Sequence, residues 1–157
     1  MEEKCSICGN SKTADHFYEG VKNHIDKYGW SIVGVLGEDD IPGWAYTIGL
    51  TELNHPEIVM SGLPHETMHT ILNDIGISIK KKDLRLEDEM LLEGFISNGY
   101  TLKIRKIDTE KYEERVQQAF RYYDRAIEAF QIMWPDKEGR FPDEENFTGK
   151  HVQEVYD

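Results

Sequence analysis

The segment from His65 to His69, His-Glu-Thr-Met-His, carries the sharpest chemical pattern in the chain. In zinc hydrolases, two histidines one helical turn apart bind the metal and the glutamate between them activates a water molecule. Pro64 predicts that the segment lies in the first turn of a helix, with its histidines on the buried side. Leu72 and Ile75 stand where the longer zinc-protease pattern has glycine and histidine. A third ligand would therefore have to be Glu87, Glu89 or Glu93.

This pattern has two interpretations. In the first, Glu66 is the catalytic base and His65 and His69 are metal ligands of a zinc-dependent hydrolase. In the second, the segment is a helix N-terminus that carries two polar histidines, because a pattern with two free positions also arises by chance.

Cys5 and Cys8 form half of a possible zinc site, since two thiolates at this spacing bind zinc in many small domains. The chain has no further cysteine, so the remaining ligands would be His16, Asp15 or His24. Such a zinc ion would be structural and would hold the N-terminus to the first helix. A redox pair and two inert thiols are the alternatives, although no strand precedes the pair as it would in a thioredoxin-like fold.

A third candidate is a pocket around the strand-like run from Trp44 to Leu50, in which large and small side chains alternate. The small face allows a helix, another backbone or a flat ligand to come close. Indole and phenol rings can stack on a flat ligand, and hydroxyl and carboxylate groups can orient it. Aromatic residues at strand spacing are also typical of a core, which is the competing interpretation. The predicted ligand-binding residues are Trp44, Tyr46, Thr47, His55, Trp134 and Asp136, with Arg140 nearby.

Length and charge limit the class of protein that can hold these sites. A chain of 157 residues fits one domain with one core. Thirty acidic residues against eighteen basic ones give a net charge of −12, which disfavours binding to a nucleic-acid backbone. No apolar run approaches the roughly 20 residues that cross a bilayer, and the N-terminus lacks the apolar core of a secretory signal. We therefore expect a cytoplasmic protein that binds no membrane.

Periodicity predicts the elements that position the candidate residues. A helix capped by Thr13 ends at Gly29, and strands follow over 30–36, 44–50 and 57–61. A second helix begins at Pro64 and is stopped by Gly76, before a short strand over 77–79. A hairpin turns at residues 97–99, a long helix covers 109–127, and a last strand covers 130–134. The order predicts a single α+β domain over 1–157, with a mixed, largely antiparallel sheet packed by about three helices. Residues 1–12 form its Cys-x-x-Cys segment, and residues 135–157 an irregular surface arm with a frayed end.

Several short motifs along nearly the whole chain resemble a bacterial and phage family catalogued as domain of unknown function four-two-six-two. The family pattern includes Pro-Trp where this chain has Pro142-Asp143, so the aromatic residue that closes the C-terminal arm is missing or is supplied by Phe141 or Phe147. The resemblance implies a fold and supplies no catalytic residues. The matching motifs are the N-terminal Cys-x-x-Cys, Gly29-Trp30, residues 45–50, residues 56–59, Gly62-Leu63, and Gln131 with Asp136 and Gly139.

These observations favour a binding domain over an enzyme. The expected ligand is a small molecule of nucleotide-like shape or a protein partner. A structural zinc ion, called the zinc clip below, is expected to hold the N-terminus to the first helix. The alternative is the zinc-dependent hydrolase of the His-Glu-x-x-His motif.

Overall fold

The computed structural model describes residues 11–97, 99–148 and 153–156, with the backbone alone for residues 11–15. Within these residues the chain forms three helices and six strands. The helices are α1 (Ser11–Tyr28), α2 (His65–Lys81) and α3 (Gln117–Tyr123). The strands are β1 (Ser31–Val35), β2 (Trp44–Ile48), β3 (Glu57–Ser61), β4 (Leu91–Leu92), β5 (Leu102–Lys106) and β6 (Ala129–Met133).

The strands form one sheet in the order β1-β2-β3-β6-β5-β4. Every described pairing is antiparallel except that of β3 with β6, which is parallel and aligns Glu57 with Ala129. The predicted α+β domain with a mixed, largely antiparallel sheet is therefore confirmed. None of the described helices is long and apolar enough to cross a bilayer.

Helices cover both faces of the sheet. Helix α2 packs on one face, where Ala45 of β2 joins Met68 and Leu72 in a buried cluster. Helices α1 and α3 pack on the other face, where Tyr46 and Ile48 join a second cluster. The small face of β2 thus makes room for α2, and the large face fills the core beneath α1 and α3.

A buried carboxylate joins β2, β3 and the turn between them. The side chain of Glu57 is 0% exposed, and within the described residues its two oxygens accept five hydrogen bonds. Burial raises the pKa of the Glu57 carboxyl, and the five donors oppose that rise by favouring the ionised form. The donors are Thr47 Oγ1 at 2.7 Å, the backbone N–H groups of Gly49, Leu50 and Thr51 at 3.0, 3.1 and 3.0 Å, and Thr51 Oγ1 at 2.7 Å.

The prediction that Gly76 stops the second helix and that a strand follows over 77–79 is wrong. Helix α2 continues to Lys81, and Gly76 is buried in its interior. A Cβ atom at Gly76 would lie 2.8 Å from Cε2 of Trp30. Glycine therefore stands here to admit the indole ring against the helix and not to end the helix.

Two further predictions need correction. The single long helix over 109–127 is a 3₁₀ turn (Glu113–Val116) followed by the short α3, because Asp124 adopts a left-handed conformation and ends the helix. The C-terminal arm is not a frayed surface segment where it is described, since Phe141, Phe147, Gln153 and Tyr156 are buried.

Two glycine substitutions test the packing of Trp30 on α2. Gly76→Ala places a methyl group inside the indole contact, at a cost of about 1–3 kcal/mol that exceeds the gain of about 1 kcal/mol in helix propensity. Gly20→Ala, within α1, adds a methyl group with no atom within 4 Å. We expect urea denaturation to show a lower free energy of unfolding for Gly76→Ala and a gain of about 0.5–1 kcal/mol for Gly20→Ala. Equal effects of the two substitutions would contradict the described packing.

Candidate functional site

An open cleft of about 600 Å³ lies between α1, the start of β1 and the first turns of α2. It is called the histidine cleft below, because His24, His65 and His69 all line it. Its lining also includes Trp30, Ser31 and Glu66. Rings, a hydroxyl and a carboxylate from three separate elements thus face one cleft.

His24 belongs to the α1 side of the cleft. Its Nδ1 lies 3.2 Å from Oγ of Ser31, the first residue of β1. Ser31 and Val33 point to the same face of the strand, and Val33 packs in the cluster beneath α1. His24 is therefore positioned on the face of the sheet that α1 covers.

His65 belongs to the opposite side, at the first position of α2. Pro64 is the N-cap, so the helix begins at His65, one residue later than predicted. The His65 ring lies against two glycines, since a Cβ at Gly34 would be 3.1 Å from Nδ1 and a Cβ at Gly43 would be 3.2 Å from Nε2. Larger residues at these two positions would displace the imidazole.

His69 lies one turn further along α2 and is exposed, so the prediction that it lies on the buried side of the helix is wrong. Met68 and Leu72 occupy the buried positions instead. Partial burial in the cleft lowers the pKa of His69, and the nearby His24 lowers it further. This effect favours the neutral imidazole, which can both donate and accept a hydrogen bond.

The three histidines do not form a metal site in this arrangement. The described residues contain no group of three or more His, Cys, Asp or Glu placed to bind one metal ion. Glu89, a predicted third ligand, pairs instead with Lys103 at 3.7 Å and Arg105 at 3.2 Å on β5. Glu87 and Glu93, the other two acids, are exposed.

The six predicted ligand-binding residues do not share one pocket. Thr47 and His55 lie near the start of β3, whereas Trp44 pairs with Ser61 at its end and Trp134 donates from Nε1 to the Ser61 carbonyl at 2.7 Å. The two ends of a five-residue strand are about 13 Å apart. Their ligand-binding role stays a prediction, and Trp44 and Trp134 pack against two different buried clusters.

Tyr46 and Trp44 form hydrogen bonds with the first turn of α3 and the turn that precedes it. Tyr46 is buried, and its hydroxyl accepts a hydrogen bond from the Gln118 N–H at 2.9 Å. Nε1 of Trp44 donates to the Arg115 carbonyl at 3.0 Å. Both side chains therefore contribute to the packing of β2 against the segment 115–118.

His55 is buried and both of its ring nitrogens are engaged. Nδ1 lies 2.7 Å from the Pro56 carbonyl, and Nε2 accepts a hydrogen bond from the Leu86 N–H at 3.1 Å. Only the neutral Nδ1–H tautomer satisfies both partners. Burial lowers the pKa of His55, which agrees with this neutral form.

Asp136 organises the start of the C-terminal arm in the way that Glu57 organises the β2–β3 turn. Burial acts to raise the pKa of its carboxyl, but hydrogen bonds from Arg140 and Thr148 outweigh burial and hold the pKa well below its usual range. Arg140 is thus a partner of Asp136 within the fold. The donors to Asp136 are the N–H groups of Glu138, Arg140 and Thr148, Nε of Arg140 and the hydroxyl of Thr148.

The predicted zinc clip involves residues outside the described part of the chain, because Cys5 and Cys8 precede residue 11. Its third predicted ligand, His16, is exposed on α1 and lies 4.0 Å from Glu19. Zinc binding by these residues stays a prediction.

No motif in the sequence marks Ser31 or Trp30 as a member of the cleft. The motifs assign His24 and the pair His65 and His69 to two different metal sites. The signal that joins them is the hydrophobic pattern of α1, which places His24 beside Val21 and Ile25 and hence against the sheet.

The fold is that of an α+β domain with helices on both faces of a mixed sheet, and the histidine cleft lies beside the first strand of that sheet. Residues 24–148 match the model of the family described as Domain of unknown function (DUF4262), and the chain belongs to this family. No curated protein and no solved structure matched the chain.

The neutral, buried His55 predicts a pH dependence of stability. A histidine whose pKa is lowered by folding contributes stability that is present above its unfolded pKa of about 6.5 and is lost as the pH falls. We expect the free energy of unfolding of the wild type to fall more steeply between pH 7 and pH 5 than that of His55→Gln, by up to about 1.4 kcal/mol per pH unit. Urea denaturation at pH 7, 6 and 5 measures the two slopes.

The matched control is His16→Gln, because His16 is exposed on α1. Its slope should equal that of the wild type. If His55→Gln also keeps the wild-type slope, His55 is not held neutral in the folded protein. Any contribution of Glu57 to the pH dependence is common to all three proteins, because each of them contains it.

Proposed function

We propose that this protein is a binding domain whose small-molecule ligand occupies the histidine cleft. The observation that supports the proposal is the convergence of His24, His65 and His69 from two helices on one open cleft of about 600 Å³. A volume of this size suits a ligand of nucleotide dimensions. The family assignment supplies no activity, so the proposal depends on the cleft alone.

The lining favours a flat ring with polar substituents. Tyr28, which is 51% exposed, offers apolar surface, and imidazoles offer further ring faces. Asn73 is oriented by Nε1 of Trp30, which donates to its side-chain oxygen at 3.1 Å. Neutral imidazole at His69 can then donate to or accept from a ring heteroatom, which is the hydrogen-bonding character of a nucleobase.

A thermal-shift screen with nucleosides, nucleotides and dinucleotides tests the proposal. A ligand at about 100 times its dissociation constant adds roughly 2.7 kcal/mol to the free energy of unfolding, which raises Tm by about 5–10 °C for a domain of this size. His69→Ala should weaken binding at least tenfold, because His69 faces the cleft and is exposed enough for its loss to spare the fold. Isothermal titration calorimetry measures the change in affinity.

His16→Ala is the control, since it removes an exposed histidine of α1 outside the cleft lining. No Tm shift across the panel would exclude the nucleotide-like ligand and favour a protein partner. A ligand that binds the wild type and His69→Ala equally would place the site elsewhere.

A zinc-dependent hydrolase is the second candidate, because His65, Glu66 and His69 all line the same cleft. In this candidate His65 and His69 would hold the zinc ion, and Glu66 would act as the base toward a water molecule. The structural zinc clip of Cys5, Cys8 and His16 is a separate proposal about the N-terminal segment.

Metal analysis of the purified protein distinguishes these two zinc proposals. We expect Cys5→Ser to lower the zinc content and His65→Ala to leave it unchanged. Thiolate is the stronger zinc ligand, and among the described residues no third His, Cys, Asp or Glu is placed with His65 and His69 to bind one metal ion. Inductively coupled plasma mass spectrometry gives the zinc per chain. An unchanged content in Cys5→Ser would exclude the clip, and a loss in His65→Ala would favour the hydrolase.

A further inference from the structure

Residues 153–156 lie on the domain as a bound peptide would. They contact Ser61, Arg115, Gln131 and Trp134, and the guanidinium of Arg115 lies over the ring of Trp44. These five residues are called the C-terminal groove below. We propose that the C-terminal groove is a peptide-binding site that recognises the pattern Gln-Glu-x-Tyr, and that it binds this segment from a second copy of the chain as well as from its own.

The groove binds the main chain of the segment through side chains. Gln131, which is 0% exposed, donates from Nε2 to the Glu154 carbonyl at 2.6 Å and accepts at Oε1 from the Tyr156 N–H at 3.0 Å. Ser61 Oγ accepts from the Glu154 N–H at 3.2 Å. These contacts bind main-chain groups and are therefore available to any peptide with the same backbone conformation.

The side chains of the segment supply the specificity. Gln153 accepts from the Trp134 N–H at 3.0 Å and donates to the Trp134 carbonyl at 2.9 Å, so it pairs with the main chain beyond β6. Glu154 accepts two hydrogen bonds from Arg115, at 2.9 Å from Nε and 3.1 Å from a terminal nitrogen. A planar, two-point contact of this kind discriminates a carboxylate from other groups.

Tyr156 is the apolar anchor. It is 1% exposed, and its ring centre lies 5.4 Å from that of Tyr112. The guanidinium of Arg115 lies 5.8 Å from the Tyr156 ring centre and 4.7 Å from that of Trp44. An aromatic residue in a pocket beside a fixed arginine is a common centre of binding energy at interfaces.

The segment can leave without breaking the sheet. Among the described residues, no backbone-to-backbone hydrogen bond joins residues 153–156 to the domain. The outer side of Gln153, Glu154 and Val155 faces an open cleft of about 570 Å³. The groove residues belong to β2, β3, β6 and the turn before α3, and the pairing of β3 with β2 and with β6 involves no residue of the segment.

Binding of labelled peptide to the full-length chain tests the proposal. The probe is a fluorescent peptide of residues 150–157, and the protein is the double variant Gln153→Ala with Tyr156→Ala, whose own segment is weakened while the groove is intact. Wild-type protein is the comparison, because its tethered segment competes at millimolar effective concentration. Fluorescence anisotropy should show at least tenfold tighter binding to the double variant than to the wild type.

A peptide carrying the same two alanine substitutions is the matched control and should bind at least tenfold more weakly than the wild-type sequence. Failure of the double variant to bind the wild-type peptide, or equal binding of both peptides, would overturn the proposal. If the double variant does not fold, amide hydrogen exchange of the wild type decides the question. The Glu154 and Tyr156 amides must then exchange through a local opening, and exchange only by global unfolding would overturn the proposal.

Discussion

The burial of one carboxylate, that of Glu57, constrains the rest of the fold. A carboxylate removed from water is costly unless donors surround it, and here the donors come from β2 and from the turn that follows it. The same residue sits on β3 between β2 and β6, so the turn, the antiparallel pair and the parallel pair all meet at one side chain. Thr47 links them further, since its hydroxyl donates to Glu57 and accepts from the Ile58 N–H at 3.0 Å.

At three irregular places in the described chain, buried side chains bind backbone groups that lie outside the sheet. Asp136 gathers the N–H groups of a loop, His55 joins the β3 approach to Leu86, and Gln131 holds the last described residues. Each is buried and each is satisfied by backbone groups, which explains why polar residues occupy the interior without destabilising it. The histidine cleft differs from these places, because its imidazole rings line an open space.

The sequence predicts what periodicity and turn chemistry encode. The β1–β2 hairpin, β3 and the α+β class are correct because alternation and glycine-rich turns act over a few residues. The end of α2 is not predictable from Gly76, because the reason for that glycine is Trp30, which lies on a different element. The residues of the predicted pocket lie at both ends of β3, and the sequence could not show this because their partners are also on other elements. His55 contacts Leu86, whereas Trp134 contacts Ser61. The histidine cleft combines residues predicted for two separate metal sites, because only the edge strand β1 brings them together.

The parallel pairing of β3 with β6 also sets the order in which the parts of the sheet can form during synthesis. These strands are neighbours in the middle of the sheet, yet about 70 residues separate them in the chain, as Glu57 aligns with Ala129. Pairing at such a distance carries a large loop-closure cost and is a slow step in folding. During synthesis the β1-β2-β3 unit emerges first and carries one open edge at β3 until β6 has left the ribosome. The nascent chain therefore exposes the edge of a strand that is fully buried in the folded protein for several seconds of translation, which is the interval in which protection by a chaperone would matter most.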